Sequence, residues 1–193
     1  MTGFDATIAP DVLADAKAGG RRGMEAIYRA FERPVYSLAR RMCGCPQAAA
    51  DVTQDTFMQA FRCLHQYRGE APLGHWLRRL AATQALMHLR AGRRWLELFD
   101  GGEALADPGG FEQASTADLE HGLALLPALP RAVLWLYHVE GYTHAEIARM
   151  AHRSVSFSKS QLARAHQKLR QLLELPPTTE GAVNAAQVYG SAV

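Results

Sequence analysis

The residues with the clearest chemical character in this chain are arginines, and they come in two runs. Arg78, Arg79, Arg90, Arg93 and Arg94 lie between Pro72 and Trp95, a stretch with no Asp or Glu. From Gly141 to Arg170, Arg149, Arg153, Lys159, Arg164, Lys168 and Arg170 face a single acid, Glu146. Cationic groups unopposed by carboxylates suit phosphate, so two such runs suggest a polyanion contacted at two places. The alternative is that they solvate helix faces. Between the runs the sign reverses: Glu97, Asp100, Glu103, Asp107, Glu112, Asp118 and Glu120 stand without a Lys or Arg, among Gly101-Gly102 and Asp107-Pro108-Gly109-Gly110. Glycine, proline and like charge read as a solvated linker. The net charge of +2 on 193 residues conceals this pattern of two basic modules and an acidic tether.

Other chemistry is sparse. No nucleophile–base pair, phosphate loop or metal-ligand set stands out, so no catalytic residue and no cofactor is assigned. Cys43, Cys45 and Cys63 are odd in number and lack CxxC spacing, which argues against a disulfide framework and a four-ligand zinc site; they read as small buried hydrophobes. The eight histidines show no metal spacing with them. No apolar run approaches the roughly 20 residues of a membrane span, and the N-terminus lacks the pattern of a signal peptide, so the expected compartment is the cytoplasm.

The elements that must carry these residues are helical. Period-3.6 patterning dominates and no strand alternation is sustained, so the expected fold is all-α. A first helix pair is expected from about Arg22 to Met42, bent near Pro34 and ending at Gly44 to Pro46. A second segment runs from about Gln47 to Tyr67 with Val52, Phe57, Ala60, Phe61 and Leu64 inward. A third covers Leu73 to Arg90, with Leu73, Leu77, Leu80, Gln84 and Met87 on one stripe. Thr116 to Leu126 and Arg131 to Val139 read as two more. Thr143-His144-Ala145-Glu146 is a capping box opening a short helix to about Ala151. His152-Arg153-Ser154 makes a turn, and a longer helix follows with Leu162, Ala165, Leu169 and Leu172 inward and Lys159, Gln161, Arg164 and Lys168 outward. That order is a helix-turn-helix. Residues after Pro176-Pro177 are small and polar and read as a flexible tail.

Three stretches, MEAIYRAFERPVYSLARRMCG, ADVTQDTFMQAFRCLHQYRGEAPLGHWLRRLA and LPALPRAVLWLYHVEGYTHAEIARMA with KSQLARAHQKLR, resemble the extracytoplasmic-function (ECF) sigma factors of bacterial RNA polymerase over roughly residues 22 to 172. The resemblance divides the chain into an N-terminal extension (1–21), a module for polymerase clamp binding and promoter melting (22–95), the acidic linker (96–115), a helix-turn-helix module (116–173) and a tail (174–193). It implies core RNA polymerase and promoter DNA as partners. Asp51, Gln54 and Asp55 match the face that docks on the polymerase coiled coil, where charge complementarity sets encounter rate and register. Tyr67, Arg68 and Trp76 match the region that handles the melted strand, with Arg78, Arg79 and Arg90 able to hold phosphates. Trp76 equally reads as a core anchor. Ser158, Lys159, Gln161, Arg164 and Lys168 match the recognition helix, where Gln and Arg suit base edges and Lys and Ser suit phosphate; Gln161 equally reads as solvated.

The chain departs from the family pattern in three places. An acid-rich entry to the polymerase-binding helix is replaced by Ala48-Ala49-Ala50-Asp51, so two carboxylates are missing. Thr53 and Thr56 lie just beyond, and a phosphothreonine would add roughly −1.5 to −2 charge there. A minority of the family resembles this arrangement and is switched on by a Ser/Thr kinase rather than by release from an anti-sigma factor, so the resemblance implies phosphorylation of Thr53, or less readily Thr56, as one candidate control and an anti-sigma factor as the other; Thr53 equally reads as an ordinary partly buried helix residue. Thr83 and Met87 stand where the family often has Asn and Asp, which predicts an unusual downstream promoter element. His152 stands where the turn usually has Gly; a left-handed residue there is costly for histidine, which predicts a remodelled turn. The competing function is a sigma mimic that occupies an anti-sigma factor without driving transcription.

Overall fold

The computed structural model describes residues 3–99 and 122–174, with side chains described for 3–92 and 122–171. The acidic stretch 100–121 and the tail 175–193 lie outside the described residues, as do the side chains of Arg93, Arg94 and Leu172. Among the described residues every regular element is helical. Among them, too, no helix is long and apolar enough to cross a membrane.

Helix α1 (Pro10–Lys17) starts with proline at its first position, where the missing N–H is not needed. It packs on α2, and the close approach is set by Gly23, whose added Cβ would run into the backbone of Val12 and Ala16. Just before α1, Phe4 is 2% exposed, and its backbone carbonyl lies so close to Gly74 of α4 that a Cβ there would collide with it. The residues expected as an N-terminal extension are therefore folded onto the core. Burying one phenylalanine is worth about 1.5–3 kcal/mol.

Helix α2 (Arg21–Cys43) is a single helix through Pro34 rather than a helix pair. It buries Ile27, Phe31, Val35, Leu38, Ala39 and Met42, a stripe that outweighs one missing backbone bond. Gly44 ends it in the left-handed conformation, φ 85°. Helix α3 (Pro46–Cys63) begins immediately; the Cys45 sulfur accepts from the Ala48 N–H at 3.4 Å, and a 3-10 turn (Leu64–Gln66) follows. Helix α4 (Leu73–Phe99) runs well past the expected end at Arg90. Its buried stripe is Leu73, Leu77, Ala81, Ala82, Ala85 and Leu86, whereas Met87 is 44% exposed. The expected stripe ranked positions by size; alanines occupy the buried ones because α2 and α3 both pack against α4.

The second module contains α5 (Ala128–His138), α6 (His144–Met150) and α7 (Val155–Glu174). Of the helix expected at Thr116 to Leu126, only residues 122–126 are described, and 122–124 are helical. The capping box forms: the Thr143 hydroxyl accepts from the Glu146 N–H, and the Glu146 carboxylate accepts from the Thr143 N–H at 2.9 Å. His152 takes the left-handed conformation at φ 49°, and its N–H and that of Arg153 close on the carbonyls of Arg149 and Ala148. The tight turn is kept at a conformational cost of about 1 kcal/mol, rather than avoided by remodelling.

The two modules share one continuous core, in which α5 packs on α2 and α4 and α6 touches α4. Arg131, on α5, is only 3% exposed and bonds the Met42 carbonyl at the end of α2 through Nε and Nη2, both at 3.4 Å.

Candidate nucleic-acid and polymerase interfaces

On α3, Asp51, Gln54 and Asp55 are all exposed, as a clamp-docking face requires. Gln47 donates to Asp51 at 3.1 Å. Behind them lies a groove of about 580 Å³ lined by Tyr28, Glu32, Tyr36, Ala50, Thr53, Gln54, Phe57, Met58 and Phe61. Tyr28 and Phe57 rings pack at 4.7 Å, and burial with the nearby Glu32 carboxylate raises the Tyr28 pKa. The face thus combines an apolar trough with a sparse acidic rim.

Thr53 lines this trough but is 7% exposed, and its hydroxyl donates to the Ala49 carbonyl at 2.7 Å. Thr56 is fully buried and donates to the Val52 carbonyl at 2.7 Å. Both hydroxyls therefore bond backward along their own helix, and neither is presented to solvent.

Tyr67 and Trp76 come together, ring centroids 5.6 Å apart, with the Tyr67 hydroxyl donating to the Ala71 carbonyl. Lys17 donates to the Tyr67 carbonyl at 2.6 Å and sits over its ring, so α1 braces this loop. Trp76 is half-buried against the core, which accords with the anchor reading. Arg68 pairs with Glu70 at 3.9 Å with both side chains strongly exposed, a contact of little energetic weight. Along α4, Arg79 and Met87 are exposed, and the half-buried Thr83 turns its hydroxyl to the Arg79 carbonyl.

Arg78 and Arg90 are already engaged by the second module. Arg78 meets the Glu140 carboxylate at 3.3 Å and lies over the Tyr142 ring; Glu140 also accepts from the Trp135 indole N–H at 3.1 Å. Arg90 donates to the Ala151 carbonyl. Burial is the main cause of the raised Tyr142 pKa.

On α7, Lys159, Arg164 and Lys168 are exposed, together with Val155, Ser156, Ser160, Ala163 and Gln167. Ser158 and Gln161 are not available to DNA: they are 0% and 3% exposed. The Ser158 hydroxyl meets the His144 ring at 3.0 Å, and His144 stacks on Tyr137. The physical reason is periodicity, since Ser158, Gln161, Leu162 and Ala165 fall on one stripe that packs against α5 and α6. The expectation of an outward Gln161 is corrected accordingly. His138 and His166 rings meet at 3.1 Å across α5 and α7; burial first, then His138 and Arg170, lower the His166 pKa.

Sequence reasoning missed Arg131, Trp135 and Glu140. A lone arginine inside the apolar run Ala-Leu-Pro-Arg-Ala-Val-Leu-Trp-Leu was the available signal. Its burial lowers its pKa, and beside it the Cys43 thiol is pushed up to about 12, first by burial and then by Cys45, so Cys43 stays protonated.

Comparison with known proteins adds independent information. The family description Sigma-70 region 2 matches residues 27–95, and Sigma-70, region 4 matches residues 116–169. The RNA polymerase sigma-H factor of Pseudomonas aeruginosa is 29% identical over 81% of this chain and 89% of its own length. The ECF RNA polymerase sigma factor SigM of Mycobacterium tuberculosis is 28% identical over 84% of this chain and 83% of its own. Among solved structures, the sigma factor RpoE in complex with the anti-sigma factor NepR from Bartonella quintana shares the fold, with a TM-score of 0.52 at 21% identity, covering 78% of this chain and 96% of that one.

Proposed function

Because the chain belongs to the ECF sigma factors of the sigma-70 family, we propose that it docks on core RNA polymerase through the α2–α3 face and reads promoter DNA with the exposed cations of α4 and α7. The observation that carries this reading is the order of the two signatures on one chain, each coinciding with exposed basic residues. Asp51, Gln54 and Asp55 beside the trough suit a preformed helical partner, with apolar anchors for affinity and carboxylates for register. Arg79, the exposed arginine of the three on α4, supplies a phosphate contact near the melted strand, while Lys159, Arg164 and Lys168 serve the upstream element.

Control by phosphorylation of Thr53 belongs to the same proposal. Ala48 and Ala50 leave the docking face short of two carboxylates, and Thr53 lines the trough beside them, so a phosphate there replaces the missing charge. The Thr53 hydroxyl bonds to Ala49, so the phosphate also breaks that bond and pushes the side chain outward; the kinase must capture an opened turn. Thr56, fully buried, is the poorer acceptor. An anti-sigma factor is the alternative controller, and a sigma mimic the alternative function.

Run-off transcription from the protein's own upstream promoter with core polymerase tests this, comparing unmodified with Thr53-phosphorylated protein. Transcription by the phosphorylated form alone supports the whole reading. Equal transcription by both abandons the kinase, and transcription by neither favours the mimic.

A further inference from the structure

Two histidines that stand 28 positions apart in the chain meet nitrogen to nitrogen in the C-terminal module: His138 closes α5, His166 lies in the middle of α7, and their Nε2 atoms are 3.1 Å apart. We propose that this pair is a binding site for a divalent transition-metal ion of the class that neutral imidazole takes, nickel, copper or zinc, and that the ion clips the end of α5 to α7. The site uses no residue assigned to polymerase or DNA, so it stands or falls independently of the sigma function.

The distance is the first support. Such ions bind imidazole nitrogen at about 2.0–2.1 Å, so two nitrogens 3.1 Å apart on one ion subtend about 95–100° there, between the octahedral and tetrahedral angles. The ring centroids are 5.3 Å apart, and aiming both lone pairs at a shared ion draws them closer by about 0.5 Å. His138 is exposed, so its ring has room for that tilt. Placement is the second support. As the last residue of α5, His138 sits where unpaired carbonyls carry partial negative charge, which favours a cation. Tyr137 holds its ring edge-on, with centroids 5.1 Å apart, and Tyr137 in turn stacks on His144, whose Nδ1 meets Ser158 of α7 at 3.0 Å. The imidazole is thus oriented before an ion arrives, which lowers the entropy lost on binding. The proton balance is simple. Two neutral rings share one proton between their Nε2 atoms; an ion takes both lone pairs, that proton moves to Nδ1, and both rings stay neutral. Against the ion stands Arg170, one turn along α7, whose charge acts on His166. Among the described residues no cluster of three or more His, Cys, Asp or Glu side chains forms, so the pair is a two-nitrogen clip with its other positions open to solvent. Magnesium, which prefers oxygen ligands, is a poor match for it.

The test is isothermal titration calorimetry of the full chain, carrying no histidine tag, with nickel chloride. One ion should bind per chain. His138→Ala and His166→Ala should each weaken binding at least about tenfold, and the double variant should weaken it little further, because a chelate is lost with its first arm. Arg170→Gln should tighten binding, while His65→Ala, which removes an exposed imidazole from the other module, should leave it unchanged. Magnesium chloride should give no binding heat. Nickel should also raise the urea midpoint of the wild type and not that of His138→Ala, an exposed position whose replacement leaves the fold intact by circular dichroism. Nickel binding weaker than about 1 mM leaves the pair a plain imidazole–imidazole hydrogen bond and overturns the site. Binding that survives both histidine substitutions places the ion elsewhere, on Cys45 or Cys63 for example, and overturns it equally.

Discussion

Replacing Arg131 should reveal how the two modules are bonded. The carbonyls of the last turn of α2 have no partners within the helix, and Arg131 reaches from α5 to satisfy that of Met42, as well as that of Ala124 at 3.4 Å. Removing the guanidinium leaves a buried acceptor unmet, at about 1–3 kcal/mol. Arg131→Ala also deletes the two stem methylenes beyond Cβ, worth about 0.8 kcal/mol each, so its total loss should be about 2.5–4.5 kcal/mol. Arg131→Met keeps most of the stem and should lose only about 1–3 kcal/mol. The guanidinium makes no carboxylate contact among the described residues, so neither variant strands a buried anion, which keeps the comparison simple. The assay is urea unfolding followed by far-ultraviolet circular dichroism, with stability from the midpoint and slope. A loss below about 0.5 kcal/mol for both variants, or equal losses for the two, would refute the reasoning.

Two further outcomes follow from the helix-turn-helix. Thr143→Ala should cost about 1 kcal/mol near neutral pH. The backbone and side-chain bonds from Thr143 hold the Glu146 carboxyl below its usual value of 4.5, so the carboxylate's contribution is present above that pH and lost as pH falls through the lowered folded value; Thr143→Ala removes only the hydroxyl's share of it together with the pH-independent bond from the Glu146 N–H, so urea titrations near neutrality and at about pH 3 should show its cost shrinking without vanishing. His152→Gly should raise stability by about 0.5–1 kcal/mol, because glycine adopts the left-handed φ of 49° without strain; a lower melting temperature would contradict the assignment of strain to this turn.

Much of the architecture was legible because it is local. The capping box and the Gly44 stop are patterns within one or two turns, and each formed where the spacing put it. Exposure of Asp51, Gln54, Asp55, Lys159, Arg164 and Lys168 could be anticipated for the same reason. Ser158 and Gln161 are polar, but their position on the Leu162–Ala165 stripe decides their burial. On α4 the reverse holds: Met87 is apolar yet exposed, while alanines fill the interface.

Residue order alone specifies the helices, their succession, their basic and acidic segments, and the absence of two carboxylates before Asp51. It does not specify that Arg131 bonds Met42, 89 positions away, or that Arg78 meets Glu140, 62 positions away. Local periodicity says which side of a helix is buried but not against what. The packing of α5 on α2 and α4 is what leaves two DNA-suited arginines spoken for from the start, because a guanidinium without solvent takes whichever acceptor the fold brings within reach.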